Sequence, residues 1–345
     1  MDDFSPKERL LRVLQHKKVD RPPVICTGGM MNAAIVDVME QSGHELPAAH
    51  HDKQLMANLS EAVCQKTGFE DLGLPFCMTV EAEVLGSDIN FGSLICEPKI
   101  AKEVFPSVSQ VKFRNIAALK DAGRLNTVAQ ACAILAKKNS DIPVIGSLTG
   151  PISTTASIVD PITFLKELRK DRENAHHVIE YVSNFLIMYA ELLVENGASF
   201  IAIGDPTATG EIRGPKMFEE YAVFYLNRII NAIHRLGVPA ILHICGDMKA
   251  VKHLLPQLQS DTISTDALIN LRLLKAEFPG LVTMGNLSTY LLQFGTADKV
   301  ADQTEKLLQD GIDIISPACG LSTSSALTNI TAMTATVKES GYGSS

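Results

Sequence analysis

Two short motifs carry side chains suited to one kind of chemistry. His243-Ile-Cys245-Gly246 closes one apolar run, and Pro317-Ala-Cys319-Gly320 closes another. In an extended chain, residues i and i+2 point to the same side, so His243 and Cys245 can reach one ion together. Cys319 offers a third soft donor. One imidazole and two thiolates suit Zn²⁺, and three protein ligands with one exchangeable position are the arrangement of a catalytic zinc. Asp266, ending the run 262–266, is a candidate fourth ligand that closes the tetrahedron at rest and leaves when substrate arrives. Its plainer role is to cap a following helix. His-x-Cys pairs also arise by chance, and a buried cysteine is often only a small apolar residue. Cys26, Cys64, Cys77, Cys96 and Cys132 are assigned to that plainer class.

The elements that must position these residues are eight short β-like runs, at 19–29, 68–76, 141–151, 198–206, 238–247, 261–267, 281–288 and 312–320. Several are apolar without strict alternation, as strands covered on both faces are. Helical spacing of apolar residues falls between them, with two helices in 164–197, one over 217–237 and one over 297–311. This alternation predicts an α/β fold, a closed (β/α)8 TIM barrel forming a single catalytic domain over residues 1–345. An open doubly wound sheet is the alternative, weakened because no G-x-G-x-x-G or G-x-x-x-x-G-K-[ST] opens a helix. Residues 78–106 fit the alternation least and predict a β-hairpin insertion after the second strand, over one mouth of the barrel. His243, Cys245 and Cys319 would lie at the C-terminal mouth, where such barrels place their chemistry. Asp205 and Asn286 also end strand candidates and are read as pocket residues, although Asp205 before Pro206 equally starts a turn.

Composition bounds the partners. The chain has 345 residues, 46% of them apolar and 20% charged, which supplies a large core and excludes disorder. Its net charge of −8 argues against nucleic acid as the main partner. No uninterrupted apolar run approaches about 18 residues, which argues against a membrane partner. The opening MDDFSPKERLL is charged and lacks an apolar core, so no signal peptide is visible and a cytoplasmic location with reduced thiols is expected. His50 and His51, in a Pro/Ala-rich stretch without a nearby cysteine, are read as surface residues, and His176 and His177 as part of a helix's polar face.

At these motifs the chain resembles the uroporphyrinogen decarboxylase superfamily, in its zinc-dependent branch of corrinoid methyltransferases, of the methylcobamide:coenzyme M type. The resemblance runs through ERLLRVLQHKKVDRPPV, LGLPFCMTVEAEVLGSDINFG, IGSLTGPISTTAS, GASFIAIGDPTATG, LHICGD, GNLS and GIDIISPACG. His243-x-Cys245 with Cys319 matches that branch's zinc motif. Decarboxylases of the superfamily carry an Arg-rich motif after the first strand, where this chain reads Cys26-Thr-Gly-Gly-Met30. Their catalytic Asp after the second strand is also replaced, around LGLPFCMTVE. The resemblance implies a barrel with Zn²⁺ at its C-terminal mouth. It also implies a methyl-corrinoid donor on a partner corrinoid protein and a thiol acceptor such as coenzyme M. Tetrahydrofolate is an alternative acceptor, and a metal-free decarboxylase-like carboxy-lyase is an alternative activity. Glu81 and Glu83, as loop acids, are read either as facing the site or as merely solvated, with Glu81 kept as a binding residue. Arg213 or Lys216 could supply charge for the sulfonate of coenzyme M.

Overall fold

Six strands run parallel in one sheet, in the order β1 (Leu72–Leu74), β4 (Val144–Thr149), β5 (Phe200–Gly204), β6 (Ala240–Ile244), β7 (Thr262–Thr265) and β8 (Thr283–Met284). Between β1 and β4 the chain forms a separate antiparallel hairpin, β2 (Asp88–Asn90) with β3 (Lys99–Lys102). The computed structural model describes residues 3–209 and 214–343. Strands β4, β5 and β6 are buried along their whole length, because helices cover one face and the opposite sheet wall the other.

The first and last expected strands survive only as bridges. Val24 pairs with Ile315, Ile314 with Met284, and Leu287 with Pro317, all in parallel. The Ile25 N–H donates to the Ile315 carbonyl at 3.1 Å, and the Glu70 N–H donates to the Val24 carbonyl at 2.9 Å. Segment 23–25 thus fills the gap between residues 314–315 and the approach to β1, completing the ring of a (β/α)8 barrel. Pro22, Pro23 and Pro317 lack the N–H a longer ladder needs, which accounts for the shortness of these two segments.

The helices follow the apolar spacing. Phe224–Arg235 buries Tyr225, Leu226, Ile229, Ile230 and Ile233 on one face. The region 164–197 divides into Pro161–Lys170 and Arg172–Glu195. The second of these is, by length and composition, apolar enough to cross a membrane, and 56% of its apolar window is buried inside the protein. It buries Val178, Val182, Phe185 and Leu186 and packs against β4. One continuous cluster of buried side chains runs from Leu10 to Val337.

Residues 78–106 differ in part from the expected hairpin. They open with a short helix, Val80–Leu85, and only then turn into β2 and β3. Glu81 and Glu83 therefore sit on a helix and not on a loop. At the opposite end of the barrel, the helix Pro6–Leu14 is tied beneath the sheet by Arg9. Its guanidinium donates to Asp20 Oδ1 at 2.7 Å and to Glu70 Oε1 at 3.1 Å. Arg21 donates to the same Glu70 carboxylate at 2.7 and 2.9 Å.

Candidate metal centre

Parallel registration brings the soft donors together. In β6, His243 lies beside Gly204 of β5 on one side and Ser264 of β7 on the other. His243 Nδ1 is 2.9 Å from Ser264 Oγ. The Ser264 hydroxyl donates in turn to Met31 Sδ at 3.7 Å, which leaves its oxygen free to accept from Nδ1–H. That tautomer turns the Nε2 lone pair outward, 3.2 Å from Cys245 Sγ. Cys245 Sγ is 2.8 Å from Cys319 Sγ, and both thiols are free. The three donor atoms all lie within 4.8 Å of one another.

Two local features put the sulfurs there. The Ala318 N–H donates to the Leu287 carbonyl at 2.8 Å, fixing the turn that presents Cys319. Gly320 must be glycine, since a Cβ there would stand 2.5 Å from the Met30 carbonyl oxygen. Cys245 and Cys319 share a hydrogen bond across the short gap. That hydrogen bond holds the Cys319 thiol below its ordinary value and Cys245 above it, and burial adds to the rise of Cys245. Among the described residues no fourth His, Cys, Asp or Glu donor joins this group. Two sulfurs and one oriented imidazole nitrogen, with one position open, fit zinc.

The remaining residues singled out in the sequence stand outside this donor group. Asp266 is half-buried just past β7, outside the donor group, and its Oδ1 accepts from the Leu268 N–H at 3.0 Å. It caps no helix: the following one, Leu271–Glu277, is capped by Asn270. The charge of Asp266 still reaches Cys245 and adds to the rise of that thiol. Asn286 donates from Nδ2 to the carbonyls of Asp266 and Ile269, at 2.8 Å each, and so holds the loop that carries Asp266. Asp205 is fully buried and caps the helix Pro151–Ile158, accepting from the Ile152 N–H at 3.1 Å and the Ser153 N–H at 2.9 Å. Burial pushes its carboxyl up to about 6. Glu81 is equally buried and joins its helix to the end of β4, accepting from Thr149 N–H at 2.7 Å and Thr149 Oγ1 at 3.0 Å. Burial pushes Glu81 up to about 7. Glu83 pairs with buried Arg124, which also donates to Cys77 Sγ at 3.2 Å and Thr79 Oγ1 at 2.8 Å.

Two assignments change. His50 is not a surface residue: it is fully buried with neither ring nitrogen partnered. Burial and the nearby Arg124 charge drive it down to about 3, so it is neutral. Cys96, read as a buried apolar thiol, is exposed, and it lines a cavity of about 710 Å³ that has Cys319 in its wall; Cys77 is buried in the core as expected and also borders that cavity. Lys216 is absent from the lining of that cavity, and Arg213 lies outside the described residues. His176 stays on a half-buried polar face, 2.9 Å from Tyr225 Oη and 3.0 Å from Glu220. Ser264 was missed in the sequence, although its place in the run beside that of His243 was the available signal.

A family model described as uroporphyrinogen decarboxylase (URO-D) matches residues 5–340. The chain is 33% identical to the methylcobamide:CoM methyltransferase MtbA of Methanosarcina acetivorans, over 99% of this chain and 100% of that one. It is 29% identical to the methylcobamide:CoM methyltransferase MtaA of Methanosarcina barkeri, over 97% of this chain and 98% of that one. Among solved structures, a methyltransferase from Methanosarcina mazei superposes with a TM-score of 0.91 at 28% identity, covering 98% of this chain and 99% of the other.

Proposed function

The chain belongs to the uroporphyrinogen decarboxylase (URO-D) family, and from that premise we propose that it moves a methyl group from a methylated corrinoid to the sulfur of a small thiol, coenzyme M being the first candidate. The relatives named as methylcobamide:CoM methyltransferases, matched over nearly their full length, support the reaction class. The observation that carries the assignment is the convergence of His243 Nε2, Cys245 Sγ and Cys319 Sγ within 4.8 Å at the C-terminal mouth of the barrel. A metal-free carboxy-lyase has no use for such a donor set.

His243, Cys245 and Cys319 would hold zinc. The bound ion supplies Lewis acidity that strips the proton from an acceptor thiol near neutral pH. Ser264 keeps His243 in the ligating tautomer. Cys245 and Cys319 contribute negative charge, which preserves the nucleophilicity of an incoming sulfur. The cavity beside Cys319 receives the rest of the acceptor and limits water around it. At its rim stand Ile95 and Tyr290, 71% and 72% exposed, an apolar border fit for the flat face of a corrinoid presented by a carrier protein. Asp266 remains a resting-state ligand only if its loop moves, since its carboxylate now closes a turn on Leu268.

Metal analysis of protein purified without added zinc tests this assignment, paired with transfer of labelled methyl from methylcobalamin to coenzyme M or tetrahydrofolate. The expected result is about one zinc per chain, as three convergent ligands imply, and a labelled thioether. Methylation of tetrahydrofolate alone, or full activity without metal, contradicts it.

A further inference from the structure

If the acceptor's sulfur lies against Cys319, the rest of that molecule lies in the adjoining cavity of about 710 Å³. Two charged side chains line this cavity among the described residues, Glu97 and Lys99. Both stand on the hairpin that closes one side of it, Glu97 in the tip and Lys99 as the first residue of β3, paired in register with Asn90. The hairpin is anchored. Thr323 Oγ1 donates to the Ile95 carbonyl at 2.9 Å, joining the tip to the loop after Cys319. Phe91, at the start of the tip, lies edge-on to His51 at 4.4 Å and under the Arg124 guanidinium at 4.9 Å.

We propose that Lys99 forms the subsite for an anionic tail on the methyl acceptor, so that the cavity selects thiols bearing a sulfonate or carboxylate over neutral or cationic ones. This subsite presupposes the thiol acceptor proposed above. The other polar side chains of the lining, among them Ser322, Thr323, Thr289, Tyr290 and Gln293, are neutral, so among the described residues Lys99 alone supplies positive charge to it. A lysine on a flexible stem recognises an anion as a point charge, which tolerates either acid.

The test is a set of four acceptors with methylcobalamin as donor: 2-mercaptoethanesulfonate, 3-mercaptopropionate, 2-mercaptoethanol and 2-aminoethanethiol. KM and kcat are measured for the unaltered enzyme, Lys99→Ala and Lys99→Glu, each with its zinc content determined. The two acids have the lowest KM with the unaltered enzyme. Lys99→Ala raises KM for both acids by about tenfold, as loss of one charge-assisted contact implies. It leaves kcat, zinc content and KM for 2-mercaptoethanol unchanged. Lys99→Glu shifts the preference to 2-aminoethanethiol. Equal loss with all four thiols, or unchanged discrimination in both variants, overturns the subsite while leaving the thiol-acceptor assignment intact. An unaltered enzyme that methylates none of the four overturns both.

Discussion

The two ends of the barrel handle polar side chains in opposite ways. Beneath the strands, Arg9, Arg21, Asp20 and Glu70 form a buried network in which one carboxylate, Glu70, receives both guanidinium groups and the Val24 N–H. At the C-terminal mouth, two thiols stand 2.8 Å apart beside an imidazole whose second nitrogen is already held by Ser264. The first arrangement has spent its hydrogen-bonding capacity on the protein. The second points three donors at one another, with a cavity opening beside Cys319. Saturated charge locks a fold, whereas converging and incompletely used donors mark where an ion or substrate belongs.

Substitutions at the two ends should therefore separate function from stability. Cys319→Ala has the largest expected effect: zinc binding and methyl transfer fall by more than about 100-fold, beyond the roughly 10–100-fold seen for residues that merely orient a ligand. Its unfolding free energy should stay within about 1 kcal/mol. Zinc titration, transfer kinetics and urea unfolding check this together. Glu70→Ala reverses the pattern. Removing the shared acid costs roughly 3–5 kcal/mol of stability, with transfer per folded molecule unchanged. Equal damage to both properties by either substitution would erase the contrast.

Ser264→Ala is a finer probe. Losing the acceptor of His243 Nδ1 should weaken zinc affinity by about 10–100-fold with little change in unfolding. Asp71 sharpens the comparison from below. It is fully buried, accepts the Cys26 N–H at 2.8 Å through Oδ1, and its Oδ2 has no partner. Burial raises it from 3.8 to about 8, so its contribution to stability is present at low pH and is lost as pH rises through about 8. Between those values the fold should weaken by up to about 1.4 kcal/mol per pH unit on account of this group. Asp71→Asn should flatten that slope and stabilise the protein at pH near 8 relative to the parent, by urea unfolding across the range. An unchanged slope would show that Asp71 stays ionised in the fold.

Much of this was legible in the residues. His243 and Cys245 share a side because a strand repeats every two residues, and eight β-like runs spaced by helical patterns describe a barrel even where two of them form only bridges. What stayed hidden was how buried polar groups are satisfied across long sequence distances. Asp205, Asn286 and Glu81 are read as pocket residues by position, and each also holds backbone groups of a neighbouring element, while Asn286 lines a pocket of about 230 Å³. Strand ends carry unpaired N–H and carbonyl groups as well as substrates, and position alone does not tell the two duties apart. His50 was misjudged because its short turn, Ala48–His50, follows Pro47 in a Pro/Ala-rich stretch that reads as a surface turn but packs Ala49 and His50 into the protein interior. Lys99 gave no signal at all, since only the folded hairpin places it in the cavity that contains Cys319.

X-ray absorption at the zinc edge, on protein purified without added metal and again after addition of coenzyme M, tests the central claim most directly. The account predicts two sulfur neighbours at about 2.3 Å and a nitrogen neighbour at about 2.0–2.1 Å, with one further sulfur appearing when the thiol is added. A zinc signal made only of oxygen and nitrogen neighbours, or a sulfur count that does not change with the thiol, would contradict it.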